Sequence, residues 1–287
     1  MSGMTVVPLA GPTRVAFNTQ LAICPTPPDG ADAHSVAAAI ARLAGAALFS
    51  PCWRSTVSDA NDLIACTARD ECPRRAGREP KLPASRTRDV IARNARAEGA
   101  NLVAIAASPD GDSDQAAQLA RTLLDAGIAV LTIPPSADRR LQLRRLGIGH
   151  DGSRPAAAAL AVAHRIAEAG RGQMTRLDIA YVDDSVSSAG EDDSDVVASR
   201  RQAAIEWWLA DLVVQVPAPV RPLRRVGDPA GELAELSHDL DLLVIGTRGR
   251  APLRRALSGS VSLRLIATAR CPLLIVPLQA AASMAAM

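Results

Sequence analysis

The run Asp241-Leu242-Leu243-Val244-Ile245-Gly246-Thr247-Arg248-Gly249 decides the fold. From Asp241 to Gly246 it reads as a continuous apolar strand with no polar alternation. A strand buried on both faces reads this way, and such strands belong to parallel sheets covered by helices. Behind it come a glycine-rich loop, a helix from Ser260 to Arg270, the Cys271-Pro272 break and a last strand, Leu273 to Val276.

Upstream the same alternation repeats. Leu146 to Asp151 is a short strand, and Asp151-Gly152-Ser153 turns the chain into a helix. Ser153 is placed to cap that helix, and Pro155 falls in its first turn, where a missing N–H costs little. Ala156, Ala159, Leu160, Ala163, Ile166 and Ala167 form its apolar stripe. Leu177 to Val182 is a second strand, and an acidic, Ser-rich loop follows from Asp183 to Asp195. A helix from about Val196 to Val213 turns Ile205, Trp208, Leu209 and Leu212 inward, with Trp207 also expected in core or interface packing. A third strand, Arg221 to Val226, ends at Gly227-Asp228-Pro229, an N-cap and N1 pair that opens another helix. Five strands alternating with helices imply a parallel sheet with helices on both faces.

The N-terminal half repeats the plan less legibly. Strands are expected at Leu21 to Cys24, Ala46 to Ser50, Asn101 to Ala106 and Ile128 to Ile133. Helices are expected at about Ala33 to Leu43, Thr87 to Glu98 and Ser113 to Ala126. Pro134 to Arg140 is the natural linker. The sequence therefore predicts an α/β chain of two tandem doubly wound five-stranded parallel sheets, each ordered 3-2-1-4-5. Residues 1–136 form the degenerate copy and 137–287 the complete one.

Composition agrees and excludes several classes. The chain has 287 residues, 48% hydrophobic and only 2% aromatic, so its core must be built from Ala, Leu, Val and Ile. A net charge of +2 gives no nucleic-acid footprint. Five scattered cysteines without C-x-x-C spacing suit reduced thiols rather than a disulfide framework or a zinc site, and the four histidines lack metal-ligand spacing. No signal-peptide pattern and no apolar run of membrane-spanning length is present, so a cytoplasmic location is expected.

The chemistry gathers at two strand ends. In doubly wound sheets ligands sit at the carboxyl ends of the strands where the winding direction reverses. Asp151-Gly152-Ser153 follows the first strand of the C-terminal half, and Gly246-Thr247-Arg248-Gly249, then nine residues, then Gly259-Ser260, follow the fourth. Glycines let backbone N–H groups approach an anion, and a helix opening at Ser260 offers unpaired N–H groups and the positive end of its dipole to a phosphate. Ser260 can add a hydroxyl to a phosphate or metal, Asp151 can accept from ribose hydroxyls, and Arg248 brings positive charge.

The spacing Gly-x2-Gly-x9-Gly-Ser resembles the ATP-binding signature of the universal stress protein family. Gly149-His150-Asp151-Gly152-Ser153, Tyr181-Val182-Asp183, Gly227-Asp228-Pro229 and the closing run Ala269 to Pro277 are similar to that family too, over about Leu143 to Pro277. The resemblance implies that Asp151 contacts ribose and the Val182 backbone meets the adenine edge. Gly246, Gly249, Gly259, Ser260 and Val261 would cradle ribose and phosphates of ATP (or ADP or AMP), with Mg²⁺ accompanying them. It also implies pairing through the last strands, here within the chain as a pseudo-dimer of Ile128 to Ile133 with Leu273 to Val276, and allows a homodimer.

The N-terminal half lacks the Gly-x2-Gly loop; Ala107-Ser108-Pro109-Asp110-Gly111-Asp112 is too short to wrap a triphosphate, so one nucleotide per chain is expected. Phosphate-cradling donors without a general base or nucleophile pair imply slow or absent hydrolysis and a nucleotide-dependent stress-response or signalling module, acting on an unidentified protein partner. Two other readings stand beside this one. The first is a member of the family that binds no nucleotide and works through protein contacts. The second is an NAD-dependent enzyme, because Gly147-x-Gly149-x-x-Gly152 formally matches the dinucleotide fingerprint, although its glycines belong after a strand rather than in one.

Overall fold

A computed structural model of the chain describes residues 19–23, 47–49, 88–89, 92–93, 95–96, 100–106, 113–134, 143–169, 176–184, 195–215, 219–247 and 261–278. In chain order the strands are β1 (Thr19–Ile23), β2 (Ala47–Phe49), β3 (Leu102–Ala106), β4 (Ala129–Ile133), β5 (Arg145–Gly149), β6 (Arg176–Asp183), β7 (Val220–Val226), β8 (Leu242–Thr247) and β9 (Leu273–Pro277). The helices are α1 (Ser113–Asp125), α2 (Arg154–Ala169), α3 (Asp195–Gln215), α4 (Pro229–Leu236) and α5 (Val261–Thr268). A 3-10 turn at Ser237–Asp239 follows α4.

The two tandem sheets expected from the sequence are continuous with one another among the described residues. They make one nine-stranded sheet in the order β2-β1-β3-β4-β9-β8-β5-β6-β7. Its C-terminal part, β7-β6-β5-β8-β9, is parallel throughout. The N-terminal part contributes four parallel strands. The join is antiparallel: β4 pairs with β9, Val130 opposite Ile275, Leu131 opposite Leu274 and Thr132 opposite Leu273. An unpaired edge of backbone N–H and C=O groups on an apolar strand is a liability. Here the closing strand of each half covers the other's edge, and both are buried along their whole length. The helix expected at Ala33 to Leu43, the stretch Arg54 to Ser85 and the linker after Pro134 lie outside the described residues.

Strand parity sorts the core into two faces. Leu146 and Ile148, Leu177 and Ile179, Leu242 and Val244 point to one face, where α2 and α3 pack through Ala159, Leu160, Ala163, Ile166, Ile205, Trp208 and Leu209. Ala180, Leu243 and Ile245 point to the other, under α4 and α5 through Leu233, Leu236, Leu265 and Ile266. Both faces run on into the N-terminal half, through Leu102, Leu131 and Ile133 on the first and Leu119, Leu123 and Val130 on the second. The six positions of the α2 stripe are all buried. The side chain of Leu212 lies outside the described set.

Trp207 corrects one expectation. It is 68% exposed while Trp208 is buried. Successive helical positions lie about 100° apart, so two adjacent tryptophans cannot both face one core.

Helix starts follow their caps. Ser153 precedes α2; its Oγ accepts from Ala156 N–H at 3.4 Å and its carbonyl accepts from Ala157 N–H. Asp228 caps α4, accepting from Gly231 N–H at 2.8 Å with Pro229 just inside. The hydroxyl bond at Ser153 is long, so Ser153→Ala is expected to lower stability by only about 1 kcal/mol, read as a shift in the urea midpoint.

Candidate functional site

Between β5 and β8 the chain changes faces. The crossover after β5, α2, packs on one face of the sheet, and the crossover after β8, α5, packs on the other. A reversal of this kind is where doubly wound sheets place their ligands, at the carboxyl ends of the two neighbouring strands. Asp151 stands exposed at the end of β5, and Gly246 and Thr247 close β8.

The loop after β5 is held by its own side chains. Asp151 Oδ1 accepts from Ser153 N–H at 3.0 Å, and His150 Nδ1 accepts from Gly152 N–H at 3.1 Å. Gly152 takes φ 78°, a conformation that an L side chain rarely adopts. Asp151 Oδ2 remains available to accept from a ligand, since an ionised carboxylate has about four acceptor positions.

Val182 presents backbone rather than side chain. Groups on β6 alternate between its two neighbours: Leu177 N–H bonds toward β7, while Arg176 N–H and the Ala180 carbonyl bond toward β5. The last rung between β5 and β6 is His150 N–H donating to the Ala180 carbonyl at 2.8 Å. By that alternation the N–H and C=O of Val182, two residues on, fall on the β5 side, beyond the last rung of the ladder.

Gly246 also meets a packing demand that its spacing does not reveal. A Cβ there would lie 2.1 Å from the Pro155 carbonyl oxygen and 2.2 Å from its carbon. The missing side chain lets the first turn of α2 rest on the end of β8. Val261 opens α5, half-buried and packed on the second face. Arg248, Gly249, Gly259 and Ser260 lie outside the described residues.

The dinucleotide fingerprint finds no support in this geometry. Gly147 and Gly149 sit inside β5, where a Cβ would meet Leu240 Cδ1 at 2.2 Å and Leu233 Cδ1 at 2.9 Å. They are spaces for core leucines and do not form a loop around a pyrophosphate.

Several groups near the site escaped the sequence. His150 is buried, its ring centroid 4.9 Å from that of Trp208, which in turn meets Tyr181 edge-on at 5.9 Å. Burial pushes the His150 imidazole down to about 4, against the opposing pull of Asp151. Asp183, at the end of β6, pairs with Arg224 at 3.0 Å. Arg264 in the first turn of α5 bonds both carboxylate oxygens of Asp228 at 2.7 Å, tying the starts of α4 and α5 together. That arginine first, and then the Gly231 N–H, holds the Asp228 carboxyl below its usual range. Parity was the available signal for His150, which continues the Leu146 and Ile148 face. Nothing in the spacing points to the Asp228–Arg264 pair. Cys271 is buried and its thiol is pushed up to about 12, so it is inert as a nucleophile.

The C-terminal half is a doubly wound α/β domain whose winding reverses between β5 and β8. Residues 142–277 match the model of the universal stress protein family, so the C-terminal region carries a domain of that family. A segment of 52 residues is 46% identical to a universal stress protein of Methanocaldococcus jannaschii, covering 17% of this chain. The match spans 31%, about a third, of that relative's length. Among solved structures, the chain is similar to a functionally unknown protein of Pseudomonas aeruginosa PAO1, with TM-score 0.60 and 18% identity over 95% of this chain and 97% of that one. It is also similar to a universal stress protein from Archaeoglobus fulgidus, with TM-score 0.55 and 11% identity over 93% and 98%. At these identities the likeness concerns the fold. Among the described residues no helix is long and apolar enough to cross a membrane.

Proposed function

We propose that the C-terminal half binds ATP, or a close adenine nucleotide, at the β5–β8 switch point and acts as a nucleotide-dependent stress-response or signalling module. The observation that supports this reading is that the β5–β6 ladder ends with His150 N–H on the Ala180 carbonyl, so that by strand alternation the N–H and C=O of Val182 fall beyond the end of β5, on the side of the loop that carries the exposed Asp151. A donor and an acceptor side by side complement an adenine edge, which offers an amino donor next to a ring-nitrogen acceptor. Asp151 would take ribose hydroxyls. Arg248, Gly249, Gly259, Ser260 and the first N–H groups of α5 from Val261 would hold the phosphates, whose charge Mg²⁺ would share. Gly246 would join this cradle through its backbone, and its missing side chain also lets α2 approach β8.

The described part of the site offers no nucleophile and base pair, and its one histidine is buried against Trp208. Hydrolysis is slow or absent in this reading, and the nucleotide works as a conformational ligand in a cytoplasmic protein. In this reading residues 1–136 are a degenerate copy without a nucleotide, paired internally with residues 137–287 through β4 and β9 as a built-in dimer. Denaturing the protein after purification in magnesium, and chromatographing what it releases, is expected to yield ATP or ADP at up to one per chain. Release of NAD would contradict the assignment. Separately, Arg248→Ala is expected to weaken nucleotide affinity about tenfold by removing one charge-assisted contact to phosphate.

A further inference from the structure

We propose that His150 is a proton-operated latch: in its neutral form Nδ1 holds the Gly152 N–H and the ring ties the Asp151 loop to Trp208 on α3, and protonation releases the loop. The inference stands apart from the nucleotide reading.

Three contacts make the latch. Gly152 N–H donates to Nδ1 at 3.1 Å, which requires that nitrogen to carry no proton. The neutral ring then bears its proton on Nε2. That atom is buried and meets no hydrogen-bond partner among the described residues. A buried unsatisfied donor weakens the closed form, which keeps it close to opening. The third contact is the ring itself, 4.9 Å from Trp208 and tilted by 50°, so the loop after β5 and the helix after β6 share one side chain.

Protonation removes the acceptor at Nδ1 and places a charge where water is excluded. The elements around the ring carry Asp151 on its own loop, Arg154 on α2, Tyr181 and Asp183 on β6, Arg224 on β7 and Glu206 and Asp211 on α3. Asp183 is already paired with Arg224. Asp151 is the charge that acts on His150, and it favours the proton without offsetting burial. The closed form binds a proton less readily than the open one, so acid favours opening. Closure is intact above pH 6.5 and is lost as the pH falls toward about 4, with a shift in the closed-to-open ratio of up to roughly 300-fold.

The test follows the Gly152 amide, the His150 ring nitrogens and the Trp208 indole N–H by NMR on the labelled full chain from pH 8 to 4. In the parent protein the three are expected to change together between pH 6.5 and 4, while amides of β4 and β9 stay fixed. His150→Phe keeps a ring beside Trp208 but has no acceptor, so its loop should show the released signals at every pH. His150→Asn can accept the same N–H in an Asx turn and cannot titrate, so its loop should stay closed throughout. Loop signals in the parent that do not move, that move only with global unfolding, or that titrate unchanged in His150→Phe would overturn the latch.

Discussion

Gly246→Ala is expected to destabilise the protein by about 3 kcal/mol and to lower its Tm by roughly 10 °C in the absence of any ligand. The new Cβ would fall 2.1 Å from the Pro155 oxygen, 2.2 Å from the Pro155 carbon and 2.7 Å from the Ala156 nitrogen. All three are backbone atoms of the first turn of α2, so no rotamer change relieves the contact. That turn is fixed by the Ser153 cap at one end and by Ala156, Ala159 and Leu160 against the sheet. Either α2 lifts from β8 or β8 loses its register with β5, and both uncover core. Gly246→Val should be worse. Thermal denaturation without nucleotide checks this, and an unchanged Tm would contradict the packing demand at Gly246.

Asp178→Ala is expected to cost about 3 kcal/mol, seen as a lower urea midpoint with an unchanged slope. Asp178 is fully buried on β6, opposite Gly147 on one neighbour and Arg221 on the other. Arg221 grips both its oxygens, at 3.0 and 2.8 Å, and Arg176 Nε sits at 2.7 Å as an ion pair without an aligned hydrogen bond. Removing the carboxylate leaves two guanidinium groups facing each other over a cavity. Both arginines are partly exposed and can recover some hydration, which keeps the loss at the low end for a broken buried pair. Asp178 lies at the opposite end of β6 from Val182, so nucleotide affinity should not change. A loss of binding at full stability would mean that the ligand site is misplaced.

The C-terminal half was legible because local and global signals agree there. The unbroken apolar run of β8, the Asp-Gly-Ser turn with its capping serine, and the Asp228-Pro229 start of α4 each depend on a few neighbouring residues. What escaped depends on distant ones. A glycine followed by x-x-Gly gives no sign that a helix needs the same space, and only the packing of α2 reveals that demand at Gly246. Trp207 and Trp208 share one apolar composition, but the helix can bury only one of them. The two sheets become one because β4 and β9 cover each other's edges, a pairing reached through the family resemblance and not through any spacing. The sequence reading assigned His150 no place in the core, although its parity with Leu146 and Ile148 turns it inward, where it is buried.

The most direct test of the nucleotide site is a calorimetric titration of the parent protein and of Asp151→Ala with ATP and magnesium. Asp151 is exposed and its replacement loses one turn bond to Ser153 N–H, so stability should fall by no more than about 1 kcal/mol. The site described here predicts saturable binding at one site per chain in the parent, weakened at least tenfold in the variant. A flat titration of the parent, or undiminished affinity in Asp151→Ala, would contradict it.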